Sequence, residues 1–308
     1  MIYSAVGDDH SVTSILKTAP EADKPSYDNT DILVTDEYTY CNWILVNISR
    51  IPETPKSALK RESYSFSSHV LQVCVQTHFH TAIQVLYIIL LSTVSWNGLG
   101  HIKGDLLIDI SFGSIIHHLY TASGYFKQIL VLKCSEQCIM ELNKWINTHT
   151  GAFDWSHVMP YIKCTEGNSD QCQDKHMTLK TAITNIMKYV IDNENLTDPE
   201  VLPPADCVIS AWILDYISKD EDDYIGNFRK FVKLLKPEGH LILLGILNTT
   251  YAMIGQDKIH VFKYDENFAI KVLTDEGFVI DHCAVQKRTS VIDHIDYEAV
   301  IFITAHRE

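Results

Sequence analysis

A run of mostly small residues, Ser111-Phe112-Gly113-Ser114, is the first place where this chain could hold a ligand. It follows an apolar run, Leu106 to Ile110, that only Asp109 interrupts, and an apolar, helix-like segment comes next. This order is typical of a buried parallel strand that turns tightly into a helix. In nucleotide-binding sheets such a turn holds the cofactor. The pattern predicts a cofactor-binding turn, with a turn that binds nothing as the alternative.

Cysteine and histidine side chains near this turn are the candidate metal ligands. Cys134 and Cys138 are four residues apart and His117 and His118 lie upstream, but no second pair at ligand spacing follows them. Buried or surface thiols are therefore favoured over a zinc site. The eight cysteines of the chain are too sparse for a disulfide scaffold, so reduced thiols are expected.

The elements that must position these residues alternate between strand-like and helix-like patterns from Gly104 onwards. Strands are predicted at residues 105–110, 128–133, 188–191, 206–211 and 240–247, and helices at 115–125, 135–145, 174–187, 222–235 and 266–276. The alternation predicts βαβ units and a parallel sheet. Two last strands, at 278–286 and 297–306, are separated by a short polar loop and predict an antiparallel hairpin at one sheet edge. The expected fold class is α/β, a Rossmann-like class I methyltransferase sheet over residues 99–308.

Residues 1–98 lack this alternation and are predicted to form a divergent, partly ordered N-terminal segment with one or two apolar helices. No Asp, Glu, Lys or Arg occurs between Ser63 and Gly100. The apolar part, residues 82–96, is shorter than the roughly 20 residues of a spanning helix and contains polar side chains. A buried core helix is favoured over a membrane span.

The composition, 46% hydrophobic and 21% charged, lies within the globular range. The net charge is 25 minus 39, or -14, and no basic stripe is present, so a nucleic-acid partner is not expected. The first residues lack the pattern of a signal peptide. A monomeric, cytoplasmic protein that binds no membrane is the expectation.

Five segments resemble the nicotinamide, phenylethanolamine and indolethylamine N-methyltransferases. They are Gly104-Asp-Leu-Leu-Ile-Asp-Ile110, Phe153-Asp-Trp-Ser156, Pro204-Ala-Asp-Cys-Val-Ile-Ser210, Leu234-Leu-Lys-Pro237 and Tyr251-Ala-Met-Ile-Gly255. The resemblance covers about residue 100 to the end. It implies a class I methyltransferase fold, S-adenosylmethionine as cofactor, and a small-molecule amine or pyridine as acceptor.

The resemblance also implies cofactor positions, several of which differ here from the family pattern. The turn, Gly-Ser-Gly-Pro in the family, keeps only Gly113. Lys133, 20 residues further on, stands where such folds use a carboxylate to hold the two ribose hydroxyls. Val190 takes the place of the adenine-side Asp, for which Asp192 could substitute only by a register shift. The implied positions are Ser111, Gly113, His117 (a Tyr in the family), Lys133, Cys138 (an Asn), Val190, Ile191 and Ala211 (a Thr).

On the acceptor side, the resemblance implies Gly245, Tyr251 and Val261 as substrate-binding positions. Gly245 stands for an Asp that anchors the acceptor in relatives, and Val261 stands for a Ser at the same pocket. No catalytic residue is assigned, because methyl transfer depends mainly on an in-line approach at close distance. Trp212 could stack on a ring, although a core tryptophan is the favoured interpretation.

Two functions follow from these residues. The first is an S-adenosylmethionine-dependent N-methyltransferase acting on a small amine or pyridine. The alternative is a catalytically impaired relative that keeps the fold as a binding or interaction protein, because the positions at the cofactor site depart from the family. Binding of S-adenosylmethionine distinguishes these hypotheses.

Overall fold

The computed structural model describes residues 102–156, 159, 172–254, 257–288 and 295–307. The predicted N-terminal segment, residues 1–98, lies outside this part of the chain. A seven-stranded sheet forms the centre of the described region, and a separate two-stranded hairpin lies after its fifth strand. No helix in the described ranges is long and apolar enough to cross a membrane.

Five parallel strands occupy the sheet in the order β3-β2-β1-β4-β5, and two antiparallel strands, β9 and β8, extend it beyond β5. The strands are β1 Gly104–Ser111, β2 Phe126–Lys133, β3 Ile183–Lys188, β4 Ala205–Ala211, β5 Leu235–Leu247, β8 Phe278–Lys287 and β9 Ala299–Arg307. The hairpin consists of β6 Tyr251–Ile254 and β7 Asp257–His260. The predicted α/β sheet with an antiparallel end is confirmed.

Six helices accompany these strands in the described part of the chain. They are α1 Leu119–Ala122, α2 Glu136–Ile146, α3 Cys172–Ala182, α4 Ile213–Ile217, α5 Glu221–Val232 and α6 Glu266–Asp275. The helix α2 packs against β2 and β3, α5 against β4 and β5, and α6 against β8. Asp220 and Asp265 cap α5 and α6, because their side chains accept hydrogen bonds from the Asp223 and Phe268 amides.

The strand β1 lies between β2 and β4, and its residues Leu106 to Ser111 are all buried. Its start is held by the Asp206 carboxylate, which accepts hydrogen bonds from the Asp105 and Leu106 amides at 2.8 and 2.9 Å. A Cβ at Gly104 would lie 2.4 Å from the Cβ of Asp206, so only glycine fits there. The buried parallel strand predicted at residues 105–110 is confirmed.

Two predicted helices differ from the structure. The helix expected at residues 115–125 is reduced to α1, Leu119–Ala122. The helix expected at 174–187 ends at Ala182, and residues Ile183 to Lys188 form β3 instead of the strand expected at 188–191. No Gly or Pro separates α3 from β3 in the sequence, so only pairing with β2 marks the boundary. The short helix α4 and the β6–β7 hairpin were not predicted.

Candidate functional site

The carboxyl ends of β1, β2 and β4 meet at one edge of the sheet, where β2 and β4 flank β1 on opposite sides. In open α/β sheets the crevice for a ligand lies at such a point, because the chain leaves neighbouring strands in opposite directions. Ser111 pairs in register with Ala211, and the Lys133 side chain reaches Ser111 from β2. The structure thus brings together three of the predicted cofactor positions.

Four buried polar side chains form a connected cluster at this edge. The Nζ of Lys133 donates to the Oγ of Ser111 at 2.5 Å and to the Ser111 carbonyl at 3.1 Å, and it lies 3.5 Å from the Oδ2 of Asp109. The Ser111 hydroxyl donates to the same Oδ2 at 2.7 Å, and the Nε2 of His118 lies 2.6 Å from the other carboxylate oxygen. We call Asp109, Ser111, His118 and Lys133 the Lys133 cluster. Its four side chains are at most 2% exposed.

The charge balance of this cluster sets the proton affinity of its carboxyl group. Burial by itself would raise the pKa of Asp109, but the positive charges of His118 and Lys133 and the hydrogen bonds from His118 and Ser111 outweigh burial. The pKa of Asp109 is consequently lowered from its ordinary value. A carboxylate therefore faces the Lys133 ammonium inside the sheet edge.

The turn after β1 combines one bulky residue with one glycine. Phe112 is buried, and its ring stacks on Tyr216 with centroids 4.2 Å apart. Its amide donates to the Ala211 carbonyl at 3.0 Å, which continues the pairing of β1 with β4. Gly113 has a φ of +62°, in the left-handed region that favours glycine, so the one glycine kept from the family pattern is where the backbone needs it.

His117 lies near two indole rings. Its ring centroid is 6.1 Å from that of Trp155 and 6.2 Å from that of Trp212, and all three side chains are buried. Trp212 follows β4 with a φ of +57°, a strained conformation for a bulky residue, and such strain occurs often at ligand sites. The predicted position His117 thus lies in an aromatic cluster beside the carboxyl end of β4.

The remaining cofactor positions contribute apolar or neutral groups. Cys138 is buried on α2, and burial raises its pKa to about 11, so its thiol stays protonated at neutral pH. Val190 is 43% exposed, and its amide donates to the Leu196 carbonyl at 2.9 Å. The carbonyl of Ile191 accepts a hydrogen bond from the Nζ of Lys230. Val190 and Ile191 follow β3, two strands away from β1, and these hydrogen bonds join them to their own loop and to α5.

On the acceptor side, Gly245 lies in β5 next to a tyrosine hydroxyl. A Cβ at Gly245 would lie 1.9 Å from the Oη of Tyr264, so Tyr264 occupies the space that a side chain at position 245 would need. Val261 is buried, with its amide bonded to the Thr250 carbonyl at 3.1 Å. Tyr251 lies in β6, where the Nζ of Lys258 is 3.9 Å from its ring centre.

Asp215, which the sequence interpretation missed, is the second buried carboxyl group of this edge. Its Oδ1 accepts hydrogen bonds from the Tyr264 hydroxyl at 2.7 Å and from the Ile246 amide at 3.0 Å. Burial, only partly offset by these neutral donors, raises its pKa to about 6. A signal was present, because Asp215 interrupts the apolar run from Ile213 to Ile217 directly after β4. A carboxylate placed there is buried with the run.

Metal ligands are not assembled in the described ranges, where no group of three or more His, Cys, Asp or Glu side chains could hold an ion. Cys134 and Cys138 are both free thiols. Burial raises the pKa of each, which disfavours the thiolate form that binds metals. The site is therefore built from an ion-paired cluster, an aromatic cluster and a buried carboxyl group.

The strand order and the position of this site define the class of protein. A parallel sheet whose strand order reverses at β1 and β4, and in which the antiparallel strand β9 is inserted between β5 and β8, is a class I methyltransferase fold.

Comparison with known proteins identifies the family. Residues 60–308 match the model of the NNMT/PNMT/TEMT family. Human (Homo sapiens) nicotinamide N-methyltransferase is 35% identical over 180 residues, which cover 58% of this chain and 68% of the relative. Mouse (Mus musculus) indolethylamine N-methyltransferase is 29% identical over 254 residues, covering 82% of this chain and 92% of the relative. A solved DhpI–SAH complex has a TM-score of 0.45 and 14% identity, covering 77% of this chain and 93% of that chain. The chain belongs to the NNMT/PNMT/TEMT family.

The two halves of S-adenosylmethionine, the cofactor implied by the resemblance, match the residues of this edge unequally. At the amino-acid end, Gly113 keeps the positive φ and the lack of a side chain that a close backbone approach requires. The end of β2 does not fit the ribose, because a lysine has donors only and the Nζ of Lys133 is already bonded to Ser111. Val190 has no polar side-chain atom for the base, and its amide is used by Leu196.

Proposed function

We propose that this chain is an S-adenosylmethionine-dependent N-methyltransferase whose acceptor is a small amine or a pyridine. The observation that carries the proposal is the family match over residues 60–308, which spans the whole seven-stranded sheet and both sides of the site. The relatives are named for nicotinamide, which is a pyridine, and for indolethylamine and phenylethanolamine, which are amines. The bound cofactor would supply the methyl group.

The residues on the acceptor side favour a basic nitrogen compound as the acceptor. Asp215 is a buried carboxyl group next to Gly245 and Ile246, and its known partners are neutral. With a pKa of about 6, it is mostly a carboxylate at neutral pH. A carboxylate has about four lone-pair positions, so the hydrogen bonds from Ile246 and Tyr264 leave capacity for an N–H of the acceptor. Such a bond would orient the nitrogen, and orientation is the main requirement of methyl transfer.

The residues on the cofactor side predict that S-adenosylmethionine binds weakly. The residues at the end of β2 provide no acceptor for the ribose hydroxyls, and each lost hydrogen bond to a charged group weakens binding by about 1.5–3 kcal/mol. We therefore expect binding at roughly millimolar cofactor, well above the concentrations usual for a tight nucleotide site.

A second candidate function, binding or interaction without methyl transfer, is favoured by Lys133. The ammonium of Lys133 stands at the position of the expected carboxylate and is tied to Ser111 and Asp109. A protein of this kind would keep the fold and the acceptor pocket and would bind an amine or a pyridine without cofactor.

Calorimetric titration and a transfer assay distinguish the two functions. The full chain is titrated with S-adenosylmethionine and separately with nicotinamide, tryptamine and phenylethanolamine, and transfer of a radiolabelled methyl group to each acceptor is then measured. We expect cofactor heat at roughly millimolar concentration and transfer to at least one acceptor. Absence of cofactor heat together with acceptor heat would establish the second function instead.

A matched pair of variants tests the assignment of the acceptor side. Asp215→Asn is expected to weaken acceptor binding by about tenfold or more, because a charge-assisted hydrogen bond is lost. Asp275→Asn makes the same change at an exposed carboxylate paired with Lys271, and it is expected to leave acceptor binding unchanged. Equal effects of the two variants would show that the acceptor binds elsewhere.

A further inference from the structure

Lys133 is the residue whose contacts disagree most with the cofactor that the family implies. A ribose-binding residue at this position presents acceptors to two hydroxyl groups. The Lys133 side chain presents donors and turns toward the end of β1, where it reaches both the Oγ and the carbonyl of Ser111. Only 1% of its side chain is exposed. The residue therefore acts within the sheet edge.

The partners of Lys133 use their polar groups on one another. The hydroxyl of Ser111 accepts a hydrogen bond from Lys133 and donates one to Asp109, so it bridges the two charged groups. The second oxygen of Asp109 is bonded to His118 at 2.6 Å. The cluster is thus held by four mutually consistent hydrogen bonds and one ion pair. None of these bonds requires a bound nucleoside.

We infer that the Lys133 cluster replaces ribose recognition in this chain: Lys133 holds the turn after β1 in place of the cofactor, and the site does not discriminate for the ribose hydroxyls. The inference deepens the proposed function and rests on it for the position of the nucleoside. Its physical basis is the absence of an acceptor on Lys133, the engagement of its donors by Ser111, and the burial of the whole cluster. The ribose hydroxyls consequently do not set the specificity of the cofactor site.

A comparison of two ligands tests this inference directly. S-adenosylhomocysteine and its 2′-deoxyribose counterpart are titrated into the wild-type chain and into the double variant Ser111→Gly with Lys133→Asp, which restores the family residues at both positions. We expect the wild type to bind the two ligands with equal affinity. The double variant should bind S-adenosylhomocysteine about tenfold or more tightly than the wild type and should prefer it over the deoxy ligand by about the same factor.

The matched control changes another lysine of the same strand in the same way. Lys127→Asp lies at the exposed start of β2, where Lys127 pairs with Asp105, and alters net charge without touching the cluster. It should leave the affinity for both ligands unchanged. A wild-type preference of tenfold or more for the ribose ligand would overturn the inference, as would an equal gain from Lys127→Asp.

If the wild type binds neither ligand measurably, the proposed methyl transfer and the proposed role of Lys133 are tested separately. In that case the proposed methyl transfer fails, and the double variant alone decides the role of Lys133: ribose-dependent binding by the variant supports the inference, and no binding by the folded variant overturns it. Far-ultraviolet circular dichroism and thermal unfolding establish that the variant folds. Where it does not fold, Lys133→Gln carries the same comparison, because glutamine has a similar length, no charge and one acceptor oxygen.

Discussion

Two buried carboxyl groups lie at the same edge of the sheet, Asp109 on the cofactor side and Asp215 on the acceptor side. Their pKa values are shifted in opposite directions. Both are at most 1% exposed. Asp109 faces Lys133 and His118, and its pKa is lowered, whereas Asp215 faces only neutral donors, and its pKa is raised to about 6. Burial acts to raise the pKa of both groups, so the charge of their partners accounts for the difference between them.

This contrast also separates the two halves of the site by function. The cofactor side already provides partners for its carboxylate, because Asp109 is bonded to Ser111 and His118 and faces Lys133. The acceptor side holds a carboxyl group without a cation among its described contacts, so a basic nitrogen compound would improve its environment. The variants below alter one half while the other serves as reference.

The largest effect is expected for Lys133→Met. Breaking a buried ion pair leaves an uncompensated charge and lowers the free energy of unfolding by about 3–5 kcal/mol. Because the wild-type pKa of Asp109 is depressed, its contribution is present above the unfolded value of about 3.9 and is lost as pH falls below it. The loss in the variant should therefore be largest near pH 7 and shrink in strong acid, as measured by urea unfolding across pH.

Lys127→Met is the control for this variant, since Lys127 lies on the same strand with its side chain 79% exposed. An exposed ion pair contributes little to stability in water. If both methionine variants changed the unfolding free energy equally, the cluster would not carry the stability assigned to it.

Asp215→Asn is expected to change the free energy of unfolding in the opposite direction, as a gain. The folded pKa of about 6 lies above the unfolded value, so the wild type loses stability as pH rises from about 4 to 6. Asparagine keeps an acceptor for Tyr264 and Ile246 and has no charge. The variant should be more stable than the wild type by up to about 3 kcal/mol above pH 7 and show no gain near pH 3.

Chemical unfolding of Asp215→Asn at pH 3, 5 and 7 measures this trend, and Asp275→Asn serves as the exposed control. A gain of equal size at all three values would attribute the effect to packing. A loss at pH 7 would show that Asp215 is compensated by a cation in the folded protein.

A smaller effect is expected for Gly245→Ala, which tests the contact that shapes the acceptor side. The new Cβ would lie 1.9 Å from the Tyr264 hydroxyl and would force it away from Asp215, at a cost of about 1–3 kcal/mol. In a Tyr264→Phe background the hydroxyl is gone, so the same alanine should cost less. A double-mutant cycle of unfolding free energies measures the coupling between the two positions. A coupling of zero would show that Tyr264 does not contact position 245.

Several features of the molecule could be predicted from residue pattern because they depend on local physics. Leu106 to Ile110 forms a buried strand since an apolar run that only Asp109 interrupts must be covered on both faces, and the small residues that follow mark a turn. The antiparallel pair β8 and β9 follows from two strand patterns with a short connection. The family likewise follows from short motifs along the chain, and the match over residues 60–308 confirms it.

Other features depended on contacts between distant residues. The end of α3 at Ala182 is decided by pairing of β3 with β2, and the contact of Asp215 with Tyr264 joins residues 49 positions apart. The sequence shows that Lys133 replaces a carboxylate, because residue type and spacing are local facts. Only the tertiary structure decides that its ammonium turns inward to Ser111 and Asp109, because the direction of a buried charge depends on which partners the fold brings within hydrogen-bonding distance.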